Sequence, residues 1–258
     1  PQSFVGKISQ FIVYPLTKIF KMSVSAGVVP AEWKVSKIIP IHKKGKKENV
    51  KNYRPISLLC AFSKVLESIV KDQLVAFMAD NRLFDNFQFE FTRGRSTVTN
   101  LLRTVNDWTN AIDRGQFVDV FYLDFAKAFD SVCHSKLLHC MRNVGISGPF
   151  LVWLESYLSD RMQFVQINAS KSGSLPVSSG VPQGSLLGPI LFMLYIRNIQ
   201  HAVNFSEIML FADDAKIYMN FKSELECDFL QQDLTAVITI GQTACNYPLP
   251  LINAIFSI

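Results

Sequence analysis

The chain is poor in several features that would narrow its class. It has four histidines in 258 residues, and its five cysteines (60, 133, 140, 227 and 245) form no C-x-x-C pair. An odd count without a pairing pattern argues against a disulfide framework and for a reducing, intracellular setting, cytoplasm or nucleus, with no secretion. The stretch "CHSKLLHC" (133–140) holds metal-ligand residue types. On a helix, however, His134 and His139 would point about 140° apart, since each residue turns the chain by about 100°. Charge is absent from Leu234 to Ile258. Gly241, Asn246, Pro248 and Pro250 break that apolar run, so no membrane span is expected there. Repeats and low-complexity linkers are missing. No signal peptide is visible, and a start at Pro1 reads as a fragment of something longer.

What is present is 49% hydrophobic, enough to bury a real core in one mixed domain with subdomains. The net charge of +5 is unevenly placed: residues 1–51 hold ten lysines against Glu32 and Glu48, and the rest carries 16 basic and 19 acidic residues. "HKKGKKENVK" (42–51) concentrates lysines in a polar, turn-like stretch, either a solvated loop or a contact for a polyanion.

Periodicity predicts a helix over 4–24 closed by Gly27, and a strand over 33–43. A long amphipathic helix is expected within 54–81, with Val65, Ile69, Leu74 and Phe77 on its core face. Ser96 can cap, and Gly115 end, a helix between them. "FVDVFYLDFAKAFD" (117–130) reads as an apolar strand running into an aspartate, followed by a helix up to Gly145 and a short one over 149–158. Residues 162–167 and 175–179 read as a hairpin. A Pro/Gly-punctuated loop, "GVPQGSLLGP" (180–189), leads into an apolar helix (190–199), and 208–219 forms a second hairpin.

That last hairpin, within "EIMLFADDAKIY" (207–218), sets Asp213 and Asp214 side by side in an otherwise apolar run. Desolvating one carboxylate is costly, and a like charge beside it adds to the cost. An isolated Asp-Asp in a turn is ordinarily structural. Here Asp124 ends a separate apolar strand, and a Gly-rich loop lies between the two segments. If the strands neighbour each other, three carboxylates converge. Oxygen-only donors of this kind suit Mg²⁺, which keeps waters and shares substrate phosphates. Two such ions about 4 Å apart can activate a hydroxyl and stabilise a leaving phosphate.

The collinear stretches "VPAEWKVSKIIPIHKKG", "NYRPISLL", "GRST", "LDFAKAFDSV", "GPFLVWLESYLSDRMQFV", "SGVPQGSLLGPILF" and "FADDAKIY" cover roughly residues 28–235. In this order they resemble the reverse transcriptase domain of non-LTR (LINE-type) retrotransposons of the jockey-like and CR1-like kind. The resemblance implies an α+β, right-hand polymerase fold with helical fingers and a palm built on an antiparallel sheet, the thumb missing. The implied blocks are an N-terminal helical extension (1–27), fingers (28–115), an incomplete palm (116–235) and a divergent apolar tail (236–258).

It also implies roles. Asp124, Asp213 and Asp214 correspond to the metal-binding carboxylates, with the backbone carbonyl of Phe125 as a further ligand for two Mg²⁺ ions, or Mn²⁺ in their place. Phe129 matches the ring that blocks a ribose 2′-OH, although read alone it could be plain core. Arg54, with Lys51 or another lysine of the cluster, would grip the incoming triphosphate. Gln183 and Gly184 would lie against the nascent base pair. Lys43, Lys44, Lys46, Lys47, Arg93 and Arg95 would follow the nucleic acid. The implied partners are an RNA template, a DNA primer and deoxynucleotides.

Departures accompany the match. Relatives read "QFGFR" where this chain has "QFEFT" (88–92), so Glu90 replaces a glycine and Thr92 an arginine. Cys133 stands where an aspartate is usual, and after "LQQDL" (230–234) the pattern stops. Beyond Leu234 neither a 3.6-residue period nor caps are evident, so no helical cover is expected there. Two functional classes follow: an RNA-directed DNA polymerase domain, or a catalytically inactive remnant that binds nucleic acid non-specifically.

Overall fold

The computed structural model describes residues 2–92, 94–125, 127–223, 226–245 and 255–257; for 2–5, 242–245 and 255–257 it describes the backbone alone. In chain order the elements begin with α1 (Gln2–Ala26), β1 (Val35–His42), β2 (Tyr53–Leu58), α2 (Ala61–Asp80), α3 (Thr97–Asp113) and β3 (Phe117–Asp124). There follow α4 (His134–Asn143), α5 (Gly148–Leu158), β4 (Arg161–Ile167), β5 (Ser170–Lys171) and β6 (Leu175–Val177). The rest are α6 (Gly188–Ile196), β7 (Glu207–Phe211), β8 (Asp214–Phe221), α7 (Cys227–Cys245) and β9 (Ile255–Ser257). They form two compact units, Pro1–Phe77 with His134–Phe192, and Met78–Cys133 with Met193–Ile258. Each unit therefore draws on both of the contiguous blocks 28–115 and 116–235.

The first unit holds a sheet in the order β2-β1-β4-β5, with β6 also paired to β4. β1 and β2 are antiparallel neighbours, and β4 with β6 makes the expected hairpin. β1 and β4 run parallel, Val35 opposite Met162, a pairing that only a long crossover can supply. Gly27 ends α1 at φ +66°, the left-handed conformation that glycine adopts without a Cβ penalty. Trp153 of α5 then donates its indole N–H to Ser23 Oγ of α1 at 3.0 Å.

The core face of α2 is rotated from the expected one. Leu66, Val70 and Leu74 are buried, whereas Val65 and Ile69 are exposed. Both rows recur at four-residue spacing, so the helix offers two adjacent apolar stripes and packing chooses one. The chosen row carries a charge with it: Glu67 is buried as well, its carboxylate accepting from Ser63 Oγ at 3.1 Å. α6 is apolar on every side, and Ile190–Ile196 are all buried, as such a helix requires.

The second unit is built on an antiparallel sheet ordered β7-β8-β3-β9. Ser96 opens α3 with a capping box shared with Thr99, and Gly115 follows it at φ +68°. Val118, Val120, Met209 and Tyr218 share a cluster with Ala111 of α3 and Phe89, and Trp108 packs against it. Each fully buried side chain of this size contributes about 1.5–3 kcal/mol.

Helical cover continues past Leu234, contrary to expectation: α7 runs to Cys245 with Leu230, Leu234 and Val237 buried at i, i+4, i+7. Asp233, also buried, anchors it by accepting from the N–H groups of Asn204, Phe205 and Ser206 at 2.7–2.9 Å. No helix among the described residues is long and apolar enough to cross a membrane.

Candidate metal and nucleotide site

Why three aspartates come to one sheet edge follows from the strand register. β3 and β8 pair over their whole length, from Phe117 opposite Phe221 to Asp124 opposite Asp214. β7 pairs with β8 from the other side, so Phe211 also faces Asp214, and only Ala212 and Asp213 remain to make the turn. Two carboxylate residues thus sit directly opposite each other at the end of one ladder, with Asp213 next in the chain. Ala212 takes the left-handed conformation, φ +51°, which lets so short a turn close.

The Phe125 carbonyl, the expected backbone ligand, accepts the Ala128 N–H at 3.3 Å. Phe129 is half-buried in the turn that follows. Among the described residues no three Asp, Glu, His or Cys side chains stand close enough to hold a metal ion unaided. The donor set itself suits Mg²⁺, whose remaining ligands are water and substrate phosphate.

Lys216 was not singled out from the sequence. It shares the Asp214 face of β8, two residues along, and is buried. Its ammonium donates to Thr104 Oγ1 at 2.6 Å and to Asn100 Oδ1 at 3.3 Å, and lies 5.8 Å from the Trp108 ring. Burial holds its pKa below the usual lysine range. A cavity of ≈ 350 Å³ opens beside it, walled by Leu101, Met209 and Phe211 and reaching Asp124 and Asp214. The only sequence signal of Lys216 is its place inside the apolar run 215–219.

Glu90 stands within electrostatic reach of the turn. Burial first, and then the charges of Asp213 and Asp214, raise its carboxyl above the ordinary range. Arg95, expected along the nucleic acid, is engaged within its own unit. Its guanidinium donates to the carbonyls of Asp85 and Gln88 and to Asn86 Oδ1, and stacks 5.5 Å over Phe89. Arg93 lies outside the described residues.

In the first unit the lysine cluster caps the β1–β2 hairpin. Its backbone is tied down from inside: Asn52 Nδ2 donates to Lys46 O at 2.8 Å and Tyr53 Oη to Lys47 O at 2.9 Å. The loop is therefore built, and Lys43, Lys44, Lys46, Lys47 and Lys51 are all exposed on it. Arg54, also exposed, pairs with Ile41 just inside the hairpin. The loop carrying Gln183 and Gly184 docks on the same β2 strand: Ser57 N–H donates to Gln183 O at 2.7 Å. Gly184, at φ +108°, approaches so closely that a Cβ would meet Ser57 O at 2.8 Å. The buried Glu67 holds the next turn, accepting from Leu186 N–H at 2.8 Å.

Residues 41–244 match the family described as reverse transcriptase (RNA-dependent DNA polymerase). The probable RNA-directed DNA polymerase from transposon X-element of Drosophila melanogaster is 35% identical over 224 residues, 85% of this chain and 24% of the relative. The RNA-directed DNA polymerase from mobile element jockey of the same fly is 32% identical over 218 residues, 81% of this chain and 24% of the relative. The chain spans about a quarter of the length of these relatives. A truncated apo telomerase from Candida tropicalis shares the fold, with a TM-score of 0.58 at 15% identity over 84% of this chain and 49% of that one. The architecture is the right-hand polymerase fold, and the ordered motifs, the family match and the two fly relatives agree: the chain belongs to the reverse transcriptase (RNA-dependent DNA polymerase) family, as the domain of a non-LTR retrotransposon.

Proposed function

We propose that this domain is the nucleotidyl-transfer unit of an RNA-directed DNA polymerase, extending a DNA primer 3′-OH with deoxynucleotides on an RNA template. The observation that carries this reading is the terminal Asp124–Asp214 pair with Asp213 beside it, an anionic edge that a divalent cation stabilises. Bound Mg²⁺ supplies Lewis-acid activation of the attacking hydroxyl and neutralises the leaving pyrophosphate. Asp124, Asp213 and Asp214 would hold it through their carboxylate oxygens. Phe129 would bar a 2′-hydroxyl by bulk. Arg54 offers a planar fork for phosphate oxygens, and the exposed lysines of the β1–β2 loop add point charges for a nucleic-acid backbone. Gln183 and Gly184 present backbone at close range, because Gly184 has no Cβ to obstruct it.

The experiment is primer extension on an RNA template by the complete polymerase, with and without Mg²⁺, beside Asp213→Asn. Loss of synthesis in the variant supports the assignment, since an amide cannot supply the anionic ligand; retained synthesis rejects it. Glu90 favours a second reading, an inactive remnant, because it adds negative charge beside the two aspartates. A wild type that binds RNA and makes no DNA would select that reading.

A further inference from the structure

Gln88 is 4% exposed, and its amide is turned onto the aspartate turn. Its Oε1 accepts the Ala212 N–H at 3.1 Å and the Glu90 N–H at 3.0 Å, while its Nε2 donates to Ala212 O at 3.3 Å. Both polar groups of Ala212 are therefore held by one side chain. The backbone reinforces this from the strand below: Phe89 N–H donates to Leu210 O at 3.0 Å, and Leu210 N–H to Phe87 O at 2.7 Å. Residues 87–89 thus act as a short parallel partner of β7, with Gln88 opposite Leu210.

We propose that Gln88 is a positioning residue for metal binding: its amide clamps the left-handed Ala212 peptide and so sets the direction in which Asp213 leaves the turn. Ala212 needs such a clamp. A residue with a Cβ is strained in the left-handed region, and an unrestrained turn would relax out of it. Two hydrogen bonds to one residue fix the peptide planes on both sides of Ala212, and the second of those planes contains the Asp213 nitrogen. Asp214 is held separately, by its register with Asp124 and Phe211. Asp213 lies in the two-residue turn between β7 and β8, directly after the peptide plane that the clamp fixes. The sequence hinted at this only through a lone glutamine inside the otherwise apolar "FQF" of 87–89.

The inference rests on the metal reading above, so its test separates the two. Mn²⁺ is titrated into the full chain by electron paramagnetic resonance, and exchange of the Ala212 amide is followed by NMR, for wild type, Gln88→Met and Gln88→Glu. Gln88→Met keeps the volume and removes every hydrogen bond of the side-chain amide. It should weaken Mn²⁺ binding roughly tenfold or more, the usual consequence of losing an outer-shell partner, and lower the thermal midpoint, because buried backbone groups lose their partner. Ala212 exchange should accelerate with it. Gln88→Glu keeps the acceptor and should retain most of the Ala212 protection. Unchanged Mn²⁺ affinity in folded Gln88→Met overturns the proposal. So does a wild-type Ala212 amide that exchanges as fast as the Asp213 amide, a readout that stands even where Gln88→Met fails to fold. A wild type that binds no Mn²⁺ overturns the metal reading itself, and the Ala212 exchange then judges the clamp alone.

Discussion

Asp124 and Asp214 face one another as the closing pair of the β3–β8 ladder. Like charges placed directly across an antiparallel pair destabilise it, so without a cation this edge is a weak point of the sheet. Asp124→Asn should therefore raise stability in the absence of divalent ions, by roughly 0.2–1 kcal/mol. The same variant should lose the added stabilisation that Mg²⁺ gives the wild type by mass action. Thermal denaturation of both proteins with and without Mg²⁺ reads the two effects. An Mg²⁺ shift of equal size in both would remove Asp124 from the ligand set.

Sugar selection should follow Phe129. In the complete polymerase, Phe129→Ala should admit ribonucleotides much more readily, while deoxynucleotide use falls less. The ratio of the two incorporation efficiencies is the measurement, and an unchanged ratio would leave the half-buried ring as core alone.

Gly184→Ala should disorder the loop that follows β6. The new Cβ would meet Ser57 O at 2.8 Å, on a backbone at φ +108° that side chains rarely adopt. Strain of this kind costs about 1–3 kcal/mol, before the backbone clash is counted. The loop should yield rather than the sheet, since Ser57 is fixed in β2. Limited proteolysis within 180–189 should quicken in the variant, with β-sheet content by circular dichroism unchanged.

Much of this architecture was legible because its decisive features are local. β3, β7 and β8 announce themselves as short apolar runs, and the start of α3 by Ser96 as a capping residue. Asp124 and Asp214 could be placed at one edge once both strands were read, since each lies at a strand end. Features that depend on distant packing were not legible. Nothing near Val35 shows that β1 pairs in parallel with β4, more than a hundred residues away. Two equivalent stripes on α2 gave no local reason to choose Leu66 over Val65. The polar seat of Lys216 depends on α3, which lays Asn100 and Thr104 over it. α7 was missed beyond Leu234 because its outward face is uncharged, which hides the helical period that Leu230, Leu234 and Val237 carry.

Asp233 should govern acid stability of the second unit. Burial alone would raise its pKa, but Ser206 Oγ and the N–H groups of Asn204, Phe205 and Ser206 outweigh it and hold the carboxyl below its usual 3.8. A depressed native pKa gives stability that is present above the unfolded value and lost as pH falls through the folded one. Asp233→Asn turns one acceptor oxygen into a donor facing backbone N–H groups, at a cost of about 1–3 kcal/mol. Thermal midpoints of the two proteins should differ near neutrality and converge as pH falls below 3.8. A gap that persists in acid would mean that packing, not the charge, accounts for Asp233.

Glu90 should act in the opposite sense, and the metal should modulate it. Burial is the largest cause of its raised pKa, and the charges of Asp213 and Asp214 come next. Between the ordinary value of 4.5 and the higher folded value, the native state holds a proton that the unfolded chain has released. Native stability must then fall as pH rises through that window, and above it Glu90 remains a half-buried charge beside two others. Glu90→Gln removes the titration, so its stability should be flatter across the window and higher than wild type near neutral pH. Divalent cation at the turn offsets the Asp213 and Asp214 charges, which removes the second cause and leaves the first. The advantage of Glu90→Gln should therefore shrink in Mg²⁺ without vanishing. Urea denaturation of both proteins at several pH values, with Mg²⁺ and with chelator, measures each part. Parallel stability curves for the two proteins would place Glu90 in solvent. A difference indifferent to Mg²⁺ would separate Glu90 from the aspartates and leave burial as its only burden.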